Sequence, residues 1–581
     1  MVDEPHLPPP RRDESLGAEN ANTLLVRPPS RPALGRAAAT RDGLAHLATV
    51  VAIVAGLMTL SYLVPPLARL RPWVEGEGIP VVRMFRTEEP LAGGMALATG
   101  GAVRGRSASP TALGGTLGDE IAANLEDDVP AAAPAAPRRP ARPAEPAAEP
   151  SEPAPIVIAP EELRGLMRRV EDPTGEALTP FYRALERTAR GEEGAITRVA
   201  HYGDSSIAGD GITMTLRRRF QQRFGDGGHG FHLIARGTMP YRHRDVAHRE
   251  RGSWELRQLV RAGLGSHRYG YGGVQARGIA GAWASFGTSE DGPVGGAASR
   301  FELFFLKHPR GGRVEMVVDD GPGQMVDTRA PELVDGRVAL TAPPGPHELT
   351  VRVLGGGEAR LYGVVLETDG PGVVYDSLGM VGARARRMLG FDLHHLRQQH
   401  RFRRTHLVVL AFGGNEADDL RHTMLSFEQD YRRVIALVRE AWPSAGCLLM
   451  GPLDQGERDE RGAIRTMPQI PVIVQAQRRA ARAEGCAYFD TFGAMGGPGS
   501  MRRWFRATPR LAFGDFRHAT PAGYRVVGNM LYKALLRGFA DHLAAKADGD
   551  EGLDEPGDGS GREAGGEAEP PEAPRDQSSG T

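Results

Sequence analysis

Regular hydrophobic patterns fill two separate stretches of the chain, residues 161–239 and 370–545. Short apolar runs that predict buried strands occur at residues 196–202, 373–376, 406–412, 447–451 and 486–490. Helical spacing lies between the strands and predicts helices at residues 161–170, 181–188, 211–224, 427–442, 472–485 and 521–543. Strands that alternate with helices predict an α/β domain with a parallel, doubly wound sheet in three layers, whose sites form at the carboxyl ends of the strands.

Between residues 240 and 369 the hydrophobic period changes to two. Leu349, Val351 and Val353 alternate with polar residues, and glycine- and proline-rich turns separate such runs. This pattern predicts an all-β insert, a sandwich or jelly roll, that divides the α/β domain into its two stretches. A glycine-rich segment of the insert is followed by Trp283 and Phe286, aromatic side chains that either stack on sugar rings or pack in the core.

An uncharged apolar segment occupies residues 47–64. Its 18 positions are just enough to span a bilayer, and they predict a transmembrane anchor at residues 44–66. A buried core helix is the alternative interpretation. Arginines precede the segment, so the positive-inside rule predicts that the N-terminus stays in the cytoplasm and that everything after the anchor is exported. Residues 1–43 are then expected to be a disordered cytoplasmic tail.

Segments of low complexity flank the regular stretches. Residues 67–160 show no sustained periodicity, and the ten prolines between residues 130 and 160 predict an extended, semi-rigid Pro/Ala-rich linker. Residues 546–581 carry eleven acidic side chains, two arginines and no aromatic residue. Such a composition cannot bury enough apolar surface to fold, so we expect a disordered acidic tail.

Composition excludes several classes of function. The 71 basic and 72 acidic side chains of the 581-residue chain cancel to a net charge of −1, which argues against a nucleic-acid partner. The chain has no phosphate-binding loop of the GxxxxGK[ST] type, so no nucleotide is expected. The only two cysteines, Cys447 and Cys486, exclude a four-thiolate zinc site. They fall on successive strands, and we expect buried thiols rather than a disulfide.

A cluster of histidines precedes the strand at residues 406–412. His394, His395 and His400 lie close to Asp392, but no matching pattern of carboxylates or cysteines accompanies them. We therefore expect a solvated helix face rather than a metal site, and the sequence predicts neither a metal nor a cofactor.

Candidate chemistry begins at the sequence GDSS, residues 203–206, which follows a predicted strand and opens a helix. This position favours Ser205 as a nucleophile whose hydroxyl stands above the sheet edge, with a helix N-cap as its alternative role. The sequence DFRH lies in the loop before the last predicted helix. Its three-residue spacing lets Asp515 orient the imidazole of His518, which then accepts the serine proton.

Two further sequences follow strands at the same edge of the predicted sheet. FGGNE, residues 412–416, offers the side-chain amide of Asn415 as a neutral donor to an oxyanion, with a glycine turn as the alternative interpretation. SLGMVGAR, residues 377–384, offers a backbone N–H at Gly382. Gly379 is the competing candidate in that sequence.

Taken in chain order, GDSS, SLGMVGAR, FGGNE and DFRH resemble the four blocks of SGNH hydrolases, the GDSL esterase superfamily, over residues 161–239 and 370–545. The resemblance implies a nucleophile, a base and an orienting carboxylate at Ser205, His518 and Asp515. It also implies an oxyanion hole formed by backbone N–H groups and one side-chain amide, at Ser205, Gly382 and Asn415.

Three positions depart from the usual pattern of this superfamily. Ser206 stands where Leu is named, Ser377 where Asn is common, and Glu416 where Asp is usual. None of these changes removes a group that the chemistry needs, but they weaken assignment to a lipase branch.

The chain looks more like bacterial peptidoglycan O-acetylesterases, in which an inserted carbohydrate-binding-like module helps shape the cleft. This likeness is carried by the β insert and by the stretches HYGDSSIAGDGIT, RFGDGGHGFHLIARG and FDTFGAMGGPGSMRRW. The resemblance implies a serine esterase. The predicted single-pass anchor places it on the bacterial inner membrane, with its catalytic domain in the periplasm. Its expected partner is an O-acylated peptidoglycan or surface polysaccharide. Two other functions fit the sequence: an exported glycan O-acetyltransferase that uses the same triad, and a non-catalytic glycan-binding wall tether.

Overall fold

The structure, a computed structural model, describes residues 115–126 and 155–551, apart from residues 239, 262 and 290–291. Its strands, in chain order, are β1 (Ile196–Gly203), β2 (Gly228–Leu233), β3 (Ala247–Arg251), β4 (Trp254–Gln258), β5 (Val274–Gly278), β6 (Trp283–Gly287), β7 (Ala298–Lys307), β8 (Arg313–Val318), β9 (Gln324–Asp327), β10 (Val334–Gly345), β11 (Glu348–Gly355), β12 (Ala359–Glu367), β13 (Gly372–Gly379), β14 (Leu407–Ala411), β15 (Gly446–Met450), β16 (Gly456–Arg458), β17 (Ile464–Thr466) and β18 (Ala487–Phe489). Its α-helices are α1 (Gly115–Glu126), α2 (Thr179–Ala189), α3 (Ser205–Ala208), α4 (Gly211–Phe224), α5 (Leu393–Arg403), α6 (Met424–Ala441), α7 (Gln469–Glu484), α8 (Thr491–Ala494), α9 (Ser500–Arg506) and α10 (Pro521–Glu551). Short 3-10 helices lie at Pro160–Leu163, Ala385–Gly390 and Asn415–Asp418.

A central sheet of parallel strands has the spatial order β13, β1, β14, β15, β18. These strands coincide with the five apolar runs of the sequence, so the predicted parallel sheet is confirmed. At the carboxyl end of β1, Gly203 pairs with Gly379 of β13 and Ala411 of β14. Three of the four candidate blocks therefore begin side by side at one edge of the sheet.

Helices cover both faces of this sheet because successive strand residues point to opposite sides. Ala200 and Tyr202 of β1 pack in one core with apolar residues of α6 and α7. Val199 lies on the opposite face of β1. It packs in a second core with apolar residues of α2, α4 and α10. The three layers that the alternation of strands and helices predicts follow from this division.

The insert consists of two antiparallel sheets, as its period-two pattern predicts. One sheet has the order β10, β7, β12, β5, β4, with β2 also paired to β12, and the other has the order β3, β6, β11, β8, β9. Apolar side chains from both sheets fill a third core, which includes Phe286 and Leu349. Phe286 is therefore a core residue, whereas Trp283 is half-buried. β2 belongs by its pairing to the insert, although it precedes residue 240.

A buried charge network joins the insert to the central sheet. Arg403 of α5 donates to Glu367 of β12 at 2.7 Å and to Asp376 of β13 at 2.9 Å, and all three side chains are at most 2% exposed. Arg198 of β1 donates to the other oxygen of Glu367 at 2.7 Å. Asp376 also accepts the N–H of Phe231 in β2 at 2.8 Å. Burial alone would raise the pKa of Glu367, but the two guanidiniums hold it well below its usual range.

Helix α1 lies inside the predicted linker and packs against the folded domain. Ile121 is fully buried, and the backbone oxygen of Asn124 accepts a hydrogen bond from the Asn529 side chain of α10 at 2.7 Å. The Asn124 side chain donates to the backbone oxygen of Gly165 at 2.9 Å. The prediction of a linker without regular structure is therefore wrong for residues 115–126.

Residues 161–170 do not form the predicted α-helix. A 3-10 helix covers Pro160–Leu163, and Gly165 then adopts a φ of 79°, which a right-handed helix does not contain. A Cβ at this position would lie 3.1 Å from the Asn124 side chain and 3.2 Å from the Glu120 oxygen. The glycine thus ends the turn and leaves room for α1.

Cys447 and Cys486 form a disulfide, which corrects the prediction of buried thiols. Leu448 of β15 pairs with Ala487 of β18, so the preceding cysteines are neighbours, with their Cα atoms 4.9 Å apart. This separation lies within the range that a disulfide requires.

The prediction of a solvated histidine face on α5 is confirmed for His394, which is exposed, and wrong for the other two histidines. His395 is fully buried and His400 is 9% exposed. Nε2 of His395 accepts the N–H of Gly270 at 2.8 Å, which leaves Nδ1–H to donate to Asp335 at 2.8 Å. In the part of the chain that the structure describes, no group of three or more His, Cys, Asp or Glu residues is arranged to hold a metal ion.

The predicted cytoplasmic tail and anchor, residues 1–43 and 44–66, lie outside the described residues. Among residues 115–126 and 155–551, no helix combines the length and apolar character needed to cross a membrane. α10 continues to Glu551, into the predicted acidic tail, and the rest of that tail lies outside the described residues.

Replacing Arg403 with Met should destabilise the protein by about 3 kcal/mol or more, because Glu367 would lose one buried partner and Asp376 would lose the guanidinium that pairs with it. Chemical denaturation monitored by tryptophan fluorescence measures the change. Arg432→Met is the matched control, since its ion pair with Glu484 is half-exposed and such pairs contribute about 1 kcal/mol or less. Equal losses for the two variants would contradict the role of the network.

Candidate active site

The turn after β1 holds Ser205 at the start of α3. Asp204 precedes it, and its carboxylate accepts the N–H of Ser206 at 2.9 Å. Asp204 is therefore the N-cap of this short helix. Asp204, not Ser205, therefore caps the helix, and the Ser205 hydroxyl is available to another partner.

That partner is His518. The Ser205 hydroxyl lies 3.0 Å from Nε2 of His518, and Nδ1 of the same ring lies 2.7 Å from Oδ2 of Asp515. Because an ionised carboxylate only accepts, Nδ1 carries the proton and Nε2 is free to accept the serine proton. The structure therefore brings together the three residues of the predicted triad in the hydrogen-bond order that proton transfer requires.

Asp515 is held in its ionised form. Partial burial alone would raise the pKa of Asp515, but hydrogen bonds from the His518 ring and from the N–H groups of Arg517 and His518 lower it below its usual value. The side chains of Asp515 and His518 are 47% and 43% exposed. The relay thus lies at the surface of the domain rather than at the bottom of a closed cavity.

The loop that carries Asp515 and His518 is fixed by residues that the sequence analysis did not identify. Phe516 adopts a φ of 55°, its ring is buried, and its backbone oxygen accepts the N–H of Gly456 at 2.7 Å. Arg517 donates to Asp418, beside the Asn415 block, at 2.9 Å. An apolar side chain between polar residues in DFRH is the signal that could have indicated this anchor.

Asn415 and the Gly382 turn lie in contact beside the nucleophile turn. The Asn415 amide donates to the backbone oxygen of Ala383 at 2.9 Å and lies 3.5 Å from Oδ2 of Asp204. Gly382 is exposed, with a φ of 77° in the turn after β13. The structure thus places Asn415 and the residue after Gly382 within hydrogen-bond distance of each other at the edge that carries Ser205.

Gly379, the competing glycine, has a packing role. A Cβ on this last residue of β13 would lie 2.1 Å from the backbone nitrogen of Ala208 in α3. The absence of a side chain at Gly379 therefore lets the nucleophile helix approach the sheet.

Two buried carboxylates lie directly behind the site. Burial raises the pKa of Asp204 despite the hydrogen bonds from Ser206. Burial also raises the pKa of Glu416 to about 7, and the nearby Asp204 adds to the rise. The only signal for Glu416 in the sequence is its departure from the Asp that is usual at this position.

A serine, a histidine and a carboxylate at the carboxyl edge of a parallel sheet, with an asparagine beside them, define an SGNH-type hydrolase site. Residues 345–526 match the GDSL-like lipase/acylhydrolase family. The predicted resemblance is therefore confirmed, and the chain carries a GDSL-like acylhydrolase domain. The matched part contains three of the four blocks; the block with Ser205 precedes it, on the other side of the insert.

Several solved structures are similar to this chain, and the first of them shares its fold. A peptidoglycan O-acetylesterase is similar with a TM-score of 0.54 and 24% identity, over 64% of this chain and 99% of that chain. A family two carbohydrate esterase from Cellvibrio japonicus is similar with a TM-score of 0.21 and 10% identity, over 51% of this chain and 98% of that chain. Another family two carbohydrate esterase, from Clostridium thermocellum, is similar with a TM-score of 0.20 and 12% identity, over 48% of this chain and 96% of that chain. No curated protein sequence matches the chain.

Replacing Gly379 with Ala should lower ester hydrolysis at least about tenfold, because the new methyl group must displace α3 and with it Ser205. Initial rates on a small acetyl ester and a thermal melt measure the effect. Gly370→Ala, in the turn between β12 and β13 where a Cβ meets nothing within 4 Å, serves as the control. Full activity of the Gly379 variant would show that α3 does not depend on this contact.

Proposed function

We propose that the protein is an exported serine esterase that removes O-acyl groups, acetyl above all, from a cell-wall or surface glycan. The observation that carries the proposal is the hydrogen-bonded relay from Ser205 through His518 to Asp515. The GDSL-like acylhydrolase domain supports the reaction class. The likeness to a peptidoglycan O-acetylesterase supports the choice of substrate.

In the proposed reaction, the Ser205 oxygen attacks the acyl carbonyl while its proton passes to Nε2 of His518. The oxyanion that forms accepts hydrogen bonds from the N–H groups of Ser205 and Gly382 and from the Asn415 amide. When this intermediate collapses, His518 returns the proton to the sugar oxygen, which leaves as an alcohol. Water then attacks the acyl-serine by the same route and releases the carboxylic acid.

Exposure of the relay supports a bulky substrate. The His518 and Asp515 side chains are 43% and 47% exposed, so an acyl group on a polymer can approach without entering a deep pocket. The β insert lies next to the nucleophile turn, since the N–H of Arg242 donates to the oxygen of Ala208 at 2.9 Å. A glycan strand at Ser205 would therefore lie close to the insert.

Export is supported by the disulfide between Cys447 and Cys486, because such bonds persist in oxidising compartments such as the periplasm. The apolar segment at residues 47–64 supplies the proposed single-pass anchor in the inner membrane. Together they give a periplasmic catalytic domain that can reach the cell wall.

Replacing Ser205 with Ala should lower acetate release from a small acetyl ester and from O-acetylated peptidoglycan by at least about 1,000-fold, because no other group can form the acyl intermediate. Ser206→Ala is the matched control, as it removes the adjacent hydroxyl but not the proposed nucleophile. Wild-type rates in the Ser205 variant would overturn the proposal. Acetyl label on an added sugar rather than in free acetate would indicate a transferase.

Deleting residues 44–66 should keep the chain in the cytoplasm of a bacterial host and leave both cysteines reduced. Alkylation with a polyethylene-glycol maleimide before and after reduction measures this state as a shift on a denaturing gel. The full chain should be protected from the reagent until it is reduced. Free thiols in the membrane-associated full chain would contradict export.

A further inference from the structure

Glu416 connects the two loops that carry the proposed oxyanion donors. Its Oε1 accepts the N–H of Ala385 at 2.7 Å, and its Oε2 accepts the N–H of Gly413 at 3.1 Å. Ala385 lies three residues after Gly382, and Gly413 lies two residues before Asn415. A single carboxylate therefore holds both loops by their backbones.

The surroundings of this carboxylate favour its role as an acceptor. Glu416 is 3% exposed, and the Tyr431 hydroxyl of α6 donates to Oε1 at 3.1 Å. The charged groups that face it are Asp204, in the nucleophile turn, and Arg384, in the turn after Gly382. Burial raises the pKa of Glu416 to about 7, and the hydrogen bonds from Ala385 and Tyr431, which need an oxygen that accepts, oppose this rise.

The donors of an oxyanion hole must converge on one oxygen atom within about 3 Å. The hydrogen bond from Asn415 to Ala383 also links the two loops, but it uses the amide that would bind the oxyanion. The two hydrogen bonds of Glu416 use groups that take no part in the reaction. They can therefore persist unchanged while charge develops on the substrate.

On the basis of the proposed function, we infer that Glu416 is a positioning residue that sets the distance between the Gly382 turn and the Asn415 loop, and thereby the shape of the oxyanion hole. Its length is part of this role. An Asp, which is usual at this position, is one methylene shorter, so from the same backbone it would reach one of the two loops but not both.

The test compares Glu416→Gln and Glu416→Asp with the wild-type chain on a small acetyl ester. In the Gln variant one carboxylate oxygen becomes an NH2 group, which faces a backbone N–H and cannot accept from it. We expect kcat to fall by about 10- to 100-fold with KM within twofold, because the loss affects only the alignment of donors in the transition state. The labelling rate of Ser205 by a fluorophosphonate, whose phosphoryl oxygen occupies the same hole, should fall by a similar factor.

Glu186→Gln is the matched control. Glu186 is a glutamate of similar burial, 6% exposed, and it binds Arg190 and Lys546 at 2.8 Å and 2.9 Å, at the far end of α10 from the site. This variant should lower the melting temperature and leave kcat within twofold of the wild type. If Glu416→Gln does not fold, Glu416→Asp, which keeps the charge, carries the test and should still lose kcat.

The outcomes separate this inference from the proposed function. If Ser205→Ala retains activity, the proposed function fails and the role of Glu416 fails with it. If Ser205→Ala is inactive but both Glu416 variants fold and turn over at the wild-type rate, the inference alone is overturned. If Glu416→Gln lowers kcat by no more than Glu186→Gln does, Glu416 has only a structural role.

Discussion

The buried pairing of Arg403 with Glu367 and Asp376 is the constraint on which the rest of this structure depends. Ser205 and His518 are 313 residues apart, and the β insert lies between them. They can meet only if the insert returns the chain to the strand position beside β1. Glu367 is on the last strand of the insert and Asp376 on the first strand after it. Arg403 pairs with both carboxylates, and Arg198 supplies the second positive charge through Glu367. Separating these groups while they stay buried would leave unpaired charge at a cost of several kcal/mol.

A second buried cluster extends this dependence to the nucleophile. Arg217 of α4 pairs with Asp210 at 2.9 Å and with Asp245 at 3.1 Å. Asp210 lies two residues after α3, and Asp245 belongs to the insert. The insert thus holds the far end of the nucleophile helix, while Gly379 allows the helix to approach the sheet. The two parts of the molecule form one catalytic scaffold rather than an enzyme with an appended module.

The elements with strong periodicity were predictable from the sequence. The five buried strands and the helix Gly211–Phe224 follow directly from their apolar spacing. The short helix α1 was not, because its burial comes from contact with α10 and Gly165, which no local pattern records. The disulfide and the buried His395 depend on strand register and on a partner, Asp335, 60 residues away. For the same reason, GDSS and DFRH could be identified from their residue types and spacing. The contacts by which Glu416 bridges two loops depend on how the chain folds.

The docking of α1 on α10 also has a mechanical consequence. Residues 127–154 connect two segments of the same folded body, helix α1 and the chain from Pro155 onward. They therefore add nothing to the distance between that body and the residues before α1. A pull from that side would act on all the contacts of α1 with the folded domain, among them those of Ile121 and Asn124. If those contacts were broken, the 28 residues 127–154 would count toward that distance and could add up to about 90 Å, at the length per residue of a proline-rich chain. The docking of helix α1 therefore sets where along the chain the folded domain begins.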